Sequence, residues 1–151
     1  MIKIEFLPEQ HYTVMGVPIP LARARIARNG HHYDPHQKEK KDFFLQIRVQ
    51  HKGPVYTQPM LLSITFFMPI PQGLERKYRN PVSPTNPCIG KCDIDNLLKF
   101  VLDSLQPNII SNDNIITSVT AKKVYSELPR TELTLAILKT VGESKGPIAK
   151  V

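Results

Sequence analysis

Tryptophan is absent from these 151 residues, and cysteine occurs only twice, as Cys88 and Cys92. Two thiols are too few for a disulfide framework and supply half of an ordinary structural zinc site. Long apolar runs are missing as well. The longest, Met60 to Met68, is interrupted by Ser63 and Thr65, and it falls far short of the ~20 residues that cross a bilayer. The opening residues Met1 to Phe6 alternate apolar and charged side chains, unlike the unbroken apolar segment of a secretory leader. Together these absences predict a cytoplasmic protein with no membrane partner. Acidic residues are the scarcer charge, 13 Asp+Glu against 20 Lys+Arg, for a net charge of +7 and a pI near 9.5. Such an excess favours a polyanionic partner such as nucleic acid.

Enough apolar residues are present, 41% of the chain, for burial to offset chain entropy around one core. The expected organisation is a single α+β domain over residues 1–140 and a flexible tail over 141–151. Alternation of Ile2, Ile4 and Phe6 with Lys3 and Glu5 predicts a strand that opens the sheet. The prolines and glycine between Val14 and Leu21 exclude a helix there and put Arg23 and Arg25 on a loop. A first helix is predicted from about Pro35 to Gln50, with Phe43, Phe44 and Ile47 on one face and Gly53-Pro54 beyond its end. Met60 to Met68 reads as a buried strand. Proline spacing gives Pro71 to Gly90 no regular period, so a long surface loop is expected, basic at Arg76, Lys77 and Arg79.

The clearest element is a second helix, in which Ile94, Leu97, Leu98, Val101, Leu102 and Leu105 form one apolar stripe. Pro107 stops it. Beyond the helix, Ile109-Ile110 and a β-rich run from Ile115 to Tyr125 suggest two strands or one bent hairpin around the turn Ser111 to Asn114. Thr131 to Leu138 supplies a last strand. The sheet should be mixed or largely antiparallel, with the two helices packed on it.

Charge is distributed unevenly. From Arg23 to Lys52 there are eight bases and three acids, whereas Asp93 to Asp113 holds four acids and Lys99 alone among bases. On the second helix Asp95, Lys99 and Asp103 are four apart and project together beside the leucine stripe. Asp93, two residues before Asp95, can aim its carboxylate at the same point if the chain there is extended. An oxygen-lined Mg²⁺ site begins this way, the ion keeping waters and taking substrate phosphate oxygens for its remaining positions. Asp113 is the available third carboxylate, provided that its turn packs alongside the start of the helix. The same spacing also fits a helix cap followed by a surface ion pair. His31, His32 and His36 read as surface histidines on a basic stretch.

The segments Lys91-Cys92-Asp93-Ile94-Asp95-Asn96-Leu97-Leu98-Lys99, Val101-Leu102-Asp103-Ser104-Leu105, Asn112-Asp113-Asn114-Ile115-Ile116 and Lys123-Val124-Tyr125 resemble the RusA family of Holliday junction resolvases. Upstream, Gly16-Val17-Pro18-Ile19-Pro20, then Arg23, Arg25 and Tyr33-Asp34, resemble that family's N-terminal motif. The likeness runs from about Gly16 to Ile137. It implies that Asp93, Asp95 and Asp113 bind Mg²⁺ or Mn²⁺ and that Lys99 is required for cleavage. It also implies a homodimer acting on branched DNA, four-way junctions above all, in recombination and repair; family members are often encoded by phages and prophages. Arg23, Arg25, Arg76, Lys77, Arg79 and Lys123 are then the expected DNA contacts. Two departures stand out: Asn112 precedes Asp113 where the family usually has a second acid, and Cys92 stands where proline is common. Competing readings are an endonuclease for flaps or forks, a non-catalytic DNA-binding protein on the same scaffold, and a phosphoesterase for small nucleotides.

Overall fold

The computed structural model describes residues 3–6, 9–73, 87–90 and 92–141. Its elements in chain order are β1 (Lys3–Phe6), β2 (Gln10–Met15), β3 (Arg25–Ile26), β4 (His32–Tyr33), α1 (Gln37–Gln50), β5 (Met60–Pro69), α2 (Ile94–Leu105), a 3-10 turn (Asp113–Ile115), β6 (Ile116–Ser126) and β7 (Arg130–Val141). No described helix is long and apolar enough to cross a membrane.

The five-stranded sheet is mixed. β7 lies antiparallel to β5, and its other side receives β1 and β2 in succession, both antiparallel. β5 pairs with β6 in parallel, a pairing that needs a crossover connection. Helix α2 provides it, running back from the Pro69 end of β5 to the Met60 end, where β6 begins beside Met60. Helices cover one face of the sheet. Met60, Leu62, Ile64, Phe66 and Met68 of β5, with Leu133 and Leu135 of β7, pack there with Leu97, Phe100, Val101 and Leu105 of α2 and Phe43 and Ile47 of α1. The other face carries exposed or half-exposed polar side chains, among them Ser63, Thr65, Thr120 and Lys122, as expected of a sheet solvated on one side.

Both helices fall where the periodicity puts them, with α1 starting at Gln37 and α2 matching the leucine stripe. Three details differ from the sequence reading. β2 is a full strand that buries Tyr12 and Val14, although its alternation is short and runs straight into the proline-rich turn. Ile109 and Ile110 are not a strand; they are a buried bend bonded to Tyr56. The run after the turn is one long strand, β6, without a hairpin. The basic loop residues Arg76, Lys77 and Arg79 and the tail over 142–151 lie outside the described residues.

α1 is fastened to β2 by two glutamines one turn apart. Gln50 accepts from Thr13 N–H (2.9 Å) and donates to Thr13 C=O (2.8 Å), while Gln46 does the same with Met15 (2.9 and 3.3 Å). Gln10 similarly exchanges bonds with the Lys52 backbone (2.7 and 3.3 Å). These primary amides imitate a neighbouring strand, so the outer edge of β2 is closed.

Candidate active site at the start of helix α2

The chain enters α2 through Asp93, whose backbone is extended (φ −75°, ψ 135°) and which occupies the N-cap position. Its carboxylate makes no cap bond. Asp95, in the first turn, and Lys99, one turn later, are likewise exposed, and none of these three side chains has a hydrogen-bond or ion-pair partner among the described residues. A pair of free carboxylates therefore sits where the first-turn N–H groups and the helix dipole favour negative charge.

The loop before the helix is held firmly. Gly90 takes a left-handed backbone angle (φ +91°) that side chains other than glycine adopt at a cost, and Cys92 N–H closes on its carbonyl at 2.8 Å. Lys123, reaching from β6, donates its ammonium to the carbonyls of both Gly90 and Cys92. Backbone pairing of Cys88 N–H with Lys123 C=O (2.9 Å) and a bond from Tyr125 Oη to Ile89 C=O (3.2 Å) fix the same strip against β6. Lys123 thus positions the loop that carries Asp93, and two of its three N–H donors are engaged in doing so.

Cations approach from the other side. Leu21 N–H donates to the Asn96 carbonyl (2.9 Å), which ties the proline-rich segment to the first turn of α2. Arg23 and Arg25 follow directly and are exposed. Arg25 opens the small β3–β4 hairpin, whose turn is closed by bonds from Ala27 N–H to His31 C=O and from Gly30 N–H to Ala27 C=O. Gly30 supplies the left-handed residue (φ +82°) that this turn requires.

Sequence reasoning missed a clamp behind the site. Lys40 of α1 bridges Asp34 (2.5 Å), which follows the hairpin, and Asp103 of α2 (3.3 Å). The bond from Lys40 holds the Asp34 carboxyl below the usual carboxylate range, helped by the His36 backbone N–H and against partial desolvation. Partial burial by itself would lower Lys40; its bonds to the two carboxylates outweigh this and raise it. His36 sets its ring edge-on to Phe100 (6.3 Å, 80°). Asp34 belonged to the quoted N-terminal motif, but nothing in the spacing pointed to Lys40 as its partner, because the contact joins three separate elements.

Asp113 does not join the pair within one chain. It starts the 3-10 turn just before β6, which begins at the Met60 end of β5, whereas Asp93 and Asp95 sit beside Lys123. The 12 residues of α2 span about 18 Å, and the path along β6 from Ile116 to Lys123 is roughly 23 Å. The turn packs near the end of the helix, not its start. Among the described residues no group of three or more His, Cys, Asp or Glu side chains is gathered closely enough to hold a metal ion. Cys88 and Cys92 are free thiols.

A mixed sheet with helices on one face, whose crossover helix opens on two exposed carboxylates, defines an α+β domain with an excess of basic residues. Comparison with known proteins narrows this class. The family model for Endodeoxyribonuclease RusA matches residues 16–136, a span that includes both acidic segments and the hairpin. The chain is also similar to the Uncharacterized protein YqaN of Bacillus subtilis (strain 168), at 30% identity over 134 residues, 81% of this chain and 92% of that relative. This chain belongs to the RusA endodeoxyribonuclease family.

Proposed function

We propose that this protein is a Mg²⁺-dependent endonuclease that resolves four-way DNA junctions by paired symmetric nicks, working as a homodimer. The observation that carries the reading is the pair Asp93 and Asp95 at the start of α2, without partners among the described residues, with Lys99 one turn on and Arg23 and Arg25 following the backbone tether at Leu21. Aspartate oxygens left free of caps and ion pairs are the donor set that a hard divalent cation prefers. Asp93 and Asp95 would hold the ion, with Asp113 as third ligand. Bound there, the ion would lower the pKa of a coordinated water and stabilise the leaving oxygen.

The protein's own groups do the rest. Lys99 would place a positive charge beside the scissile phosphate as negative charge builds up on its oxygens. Arg23 and Arg25 would grip neighbouring phosphates and set the register of the DNA without reading bases. The Lys123 bonds to Gly90 and Cys92 keep the loop under Asp93 from drifting, which matters because small misplacements are costly in oriented catalysis. The separation of Asp113 from the pair supports a site completed by a second copy of the chain. A four-way junction is itself two-fold symmetric, and two such sites would meet its two opposed strands.

The test is incubation with a labelled four-way junction and with linear duplex of matching sequence, in Mg²⁺ or EDTA. The expected outcome is symmetric, metal-dependent nicking of the junction with ligatable ends. Asp95→Asn should reduce it at least about a hundredfold, and Lys99→Ala should also slow it. Junction binding by Asp95→Asn should persist or tighten, since a negative charge near phosphate is removed. Tight binding by the wild type without nicks under Mg²⁺ or Mn²⁺ would leave a DNA-binding module and remove the catalytic roles.

A further inference from the structure

The β3–β4 hairpin is bare on both faces. Its strands pair Arg25 with Tyr33 and Ile26 with His32, and strand alternation puts the two pairs on opposite sides. All four residues are exposed, Ile26 at 65% and Tyr33 at 46%. A two-stranded ribbon with nothing packed on it is marginal in water. This one is held at its feet instead. At one foot Leu21 N–H is bonded to the carbonyl of Asn96, the residue after Asp95; at the other Asp34 is bonded to Lys40. The tip is closed by backbone bonds between Ala27 and His31 and between Gly30 and Ala27, and by Asn29, whose Oδ1 accepts from His31 N–H (3.2 Å). Beside Asn29, Arg28 is exposed and has no hydrogen-bond or ion-pair partner among the described residues. From Leu21 to Tyr33 the chain holds three arginines, two histidines and no acid.

We propose that this hairpin enters the major groove of a DNA arm next to the acid pair, and that Arg28 at its tip reads a guanine there. The inference rests on the nuclease reading for its substrate and adds to it the element that sets which sequences are cut. Dimensions decide the groove. A two-stranded ribbon places its strands about 4.8 Å apart and carries side chains on both faces; the major groove, about 12 Å wide, admits it, whereas the minor groove, about 6 Å wide, does not. Depth fits as well. Four residues separate Arg25 from Asn29, an extended reach of about 13 Å, which exceeds the groove's depth of about 8.5 Å. The tip therefore meets the base edges while Arg23 and Arg25, nearer the feet, stay level with the phosphates. Groove walls on either side would cover the two faces that the protein leaves bare. At the floor, a guanidinium free of protein partners matches the O6 and N7 acceptors of guanine with two parallel bonds. The Asn29 carboxamide is already spent on the turn, which leaves Arg28 as the reader.

The test is methylation interference in EDTA, so that no metal-dependent nicking intervenes. A labelled four-way junction with arms of mixed sequence is lightly treated with dimethyl sulfate, which methylates guanine N7 in the major groove and adenine N3 in the minor groove. With the full-length wild type, DNA methylated at a guanine N7 near the branch should be depleted from the bound fraction at least about fivefold. Arg28→Ala, with an unchanged circular-dichroism spectrum, should still bind the junction and lose this interference. Arg25→Ala should keep the interference, weaken binding to every sequence alike and lower the salt slope by about one. Interference absent from the wild type, confined to adenine N3, or unchanged in Arg28→Ala would overturn the inference. Nicking in Mg²⁺ without N7 interference would overturn the groove entry and leave the nuclease standing; N7 interference that depends on Arg28, without nicking, would do the reverse.

Discussion

The two edges of this sheet are built from opposite materials. At β2, Gln46 and Gln50 of α1 meet the outward backbone of Thr13 and Met15 with primary amides, as an added strand would. At β6, an uncharged run keeps its N–H and C=O groups facing outward between a bulge and the Pro87–Cys88 strip. Among the described residues, side chains thus close one edge while part of the other keeps its backbone groups unpaired. The comparison teaches that exposure alone says little about a strand; what matters is whether its backbone bonds are already made.

The largest effect that would sharpen this contrast is complementation between two copies of the chain. Asp93→Asn and Asp113→Asn should each lose nicking by at least about a hundredfold. Mixed in equal amounts and allowed to exchange, half of the dimers become heterodimers with one intact composite site of two, so roughly a quarter of wild-type site activity should return. If the site were confined to one chain, the mixture would stay inactive; single-turnover nicking of a labelled junction decides.

A smaller effect tests the closed edge. Gln46→Ala combined with Gln50→Ala removes four bonds to β2 and should cost about 2 kcal/mol, because each amide bond contributes about 1 kcal/mol or less where water can replace it. Chemical denaturation measures this, and the sedimenting species should be unchanged. A shift to higher oligomers in that variant would show that the glutamines guard the edge as well as stabilise it.

The smallest effect concerns the clamp that joins α1, α2 and the hairpin away from both edges. Asp34 is held below its ordinary value of 3.8, so its contribution is present above that pH and is lost as pH falls through the depressed value. Lys40 is raised above 10.5, so its share is present below that pH and is lost as pH rises through the raised value. The clamp is complete between those limits. In thermal melts, Lys40→Met should lose less stability than wild type between pH 5 and pH 2, by under about 1 kcal/mol because these groups are partly exposed. Identical slopes would mean that the clamp adds nothing to folding.

Much of this architecture was legible in residue order, for physical reasons that differ by element. α2 could be read because a stripe of Leu, Ile and Val at helical spacing has one stable solution. The acid pair was legible because Asp93 and Asp95 are neighbours in sequence. β2 was hidden because Tyr12 and Val14 are only two buried positions before a proline-rich turn. The parallel pairing of β5 with β6 was not legible at all, since register between distant strands is set by contacts that no local pattern reports. The position of Asp113 could have been anticipated in part: a helix of three turns carries the chain away from Asp93, and only a short bend separates its end from the turn.

The helices lie on one face of the sheet and polar side chains cover the other. Helix α2 belongs to that helical layer, so Asp93 and Asp95 at its start stand on the helical side of the sheet, away from the polar face. A phosphate backbone drawn to those carboxylates would come in over the helices, like writing confined to one side of a page.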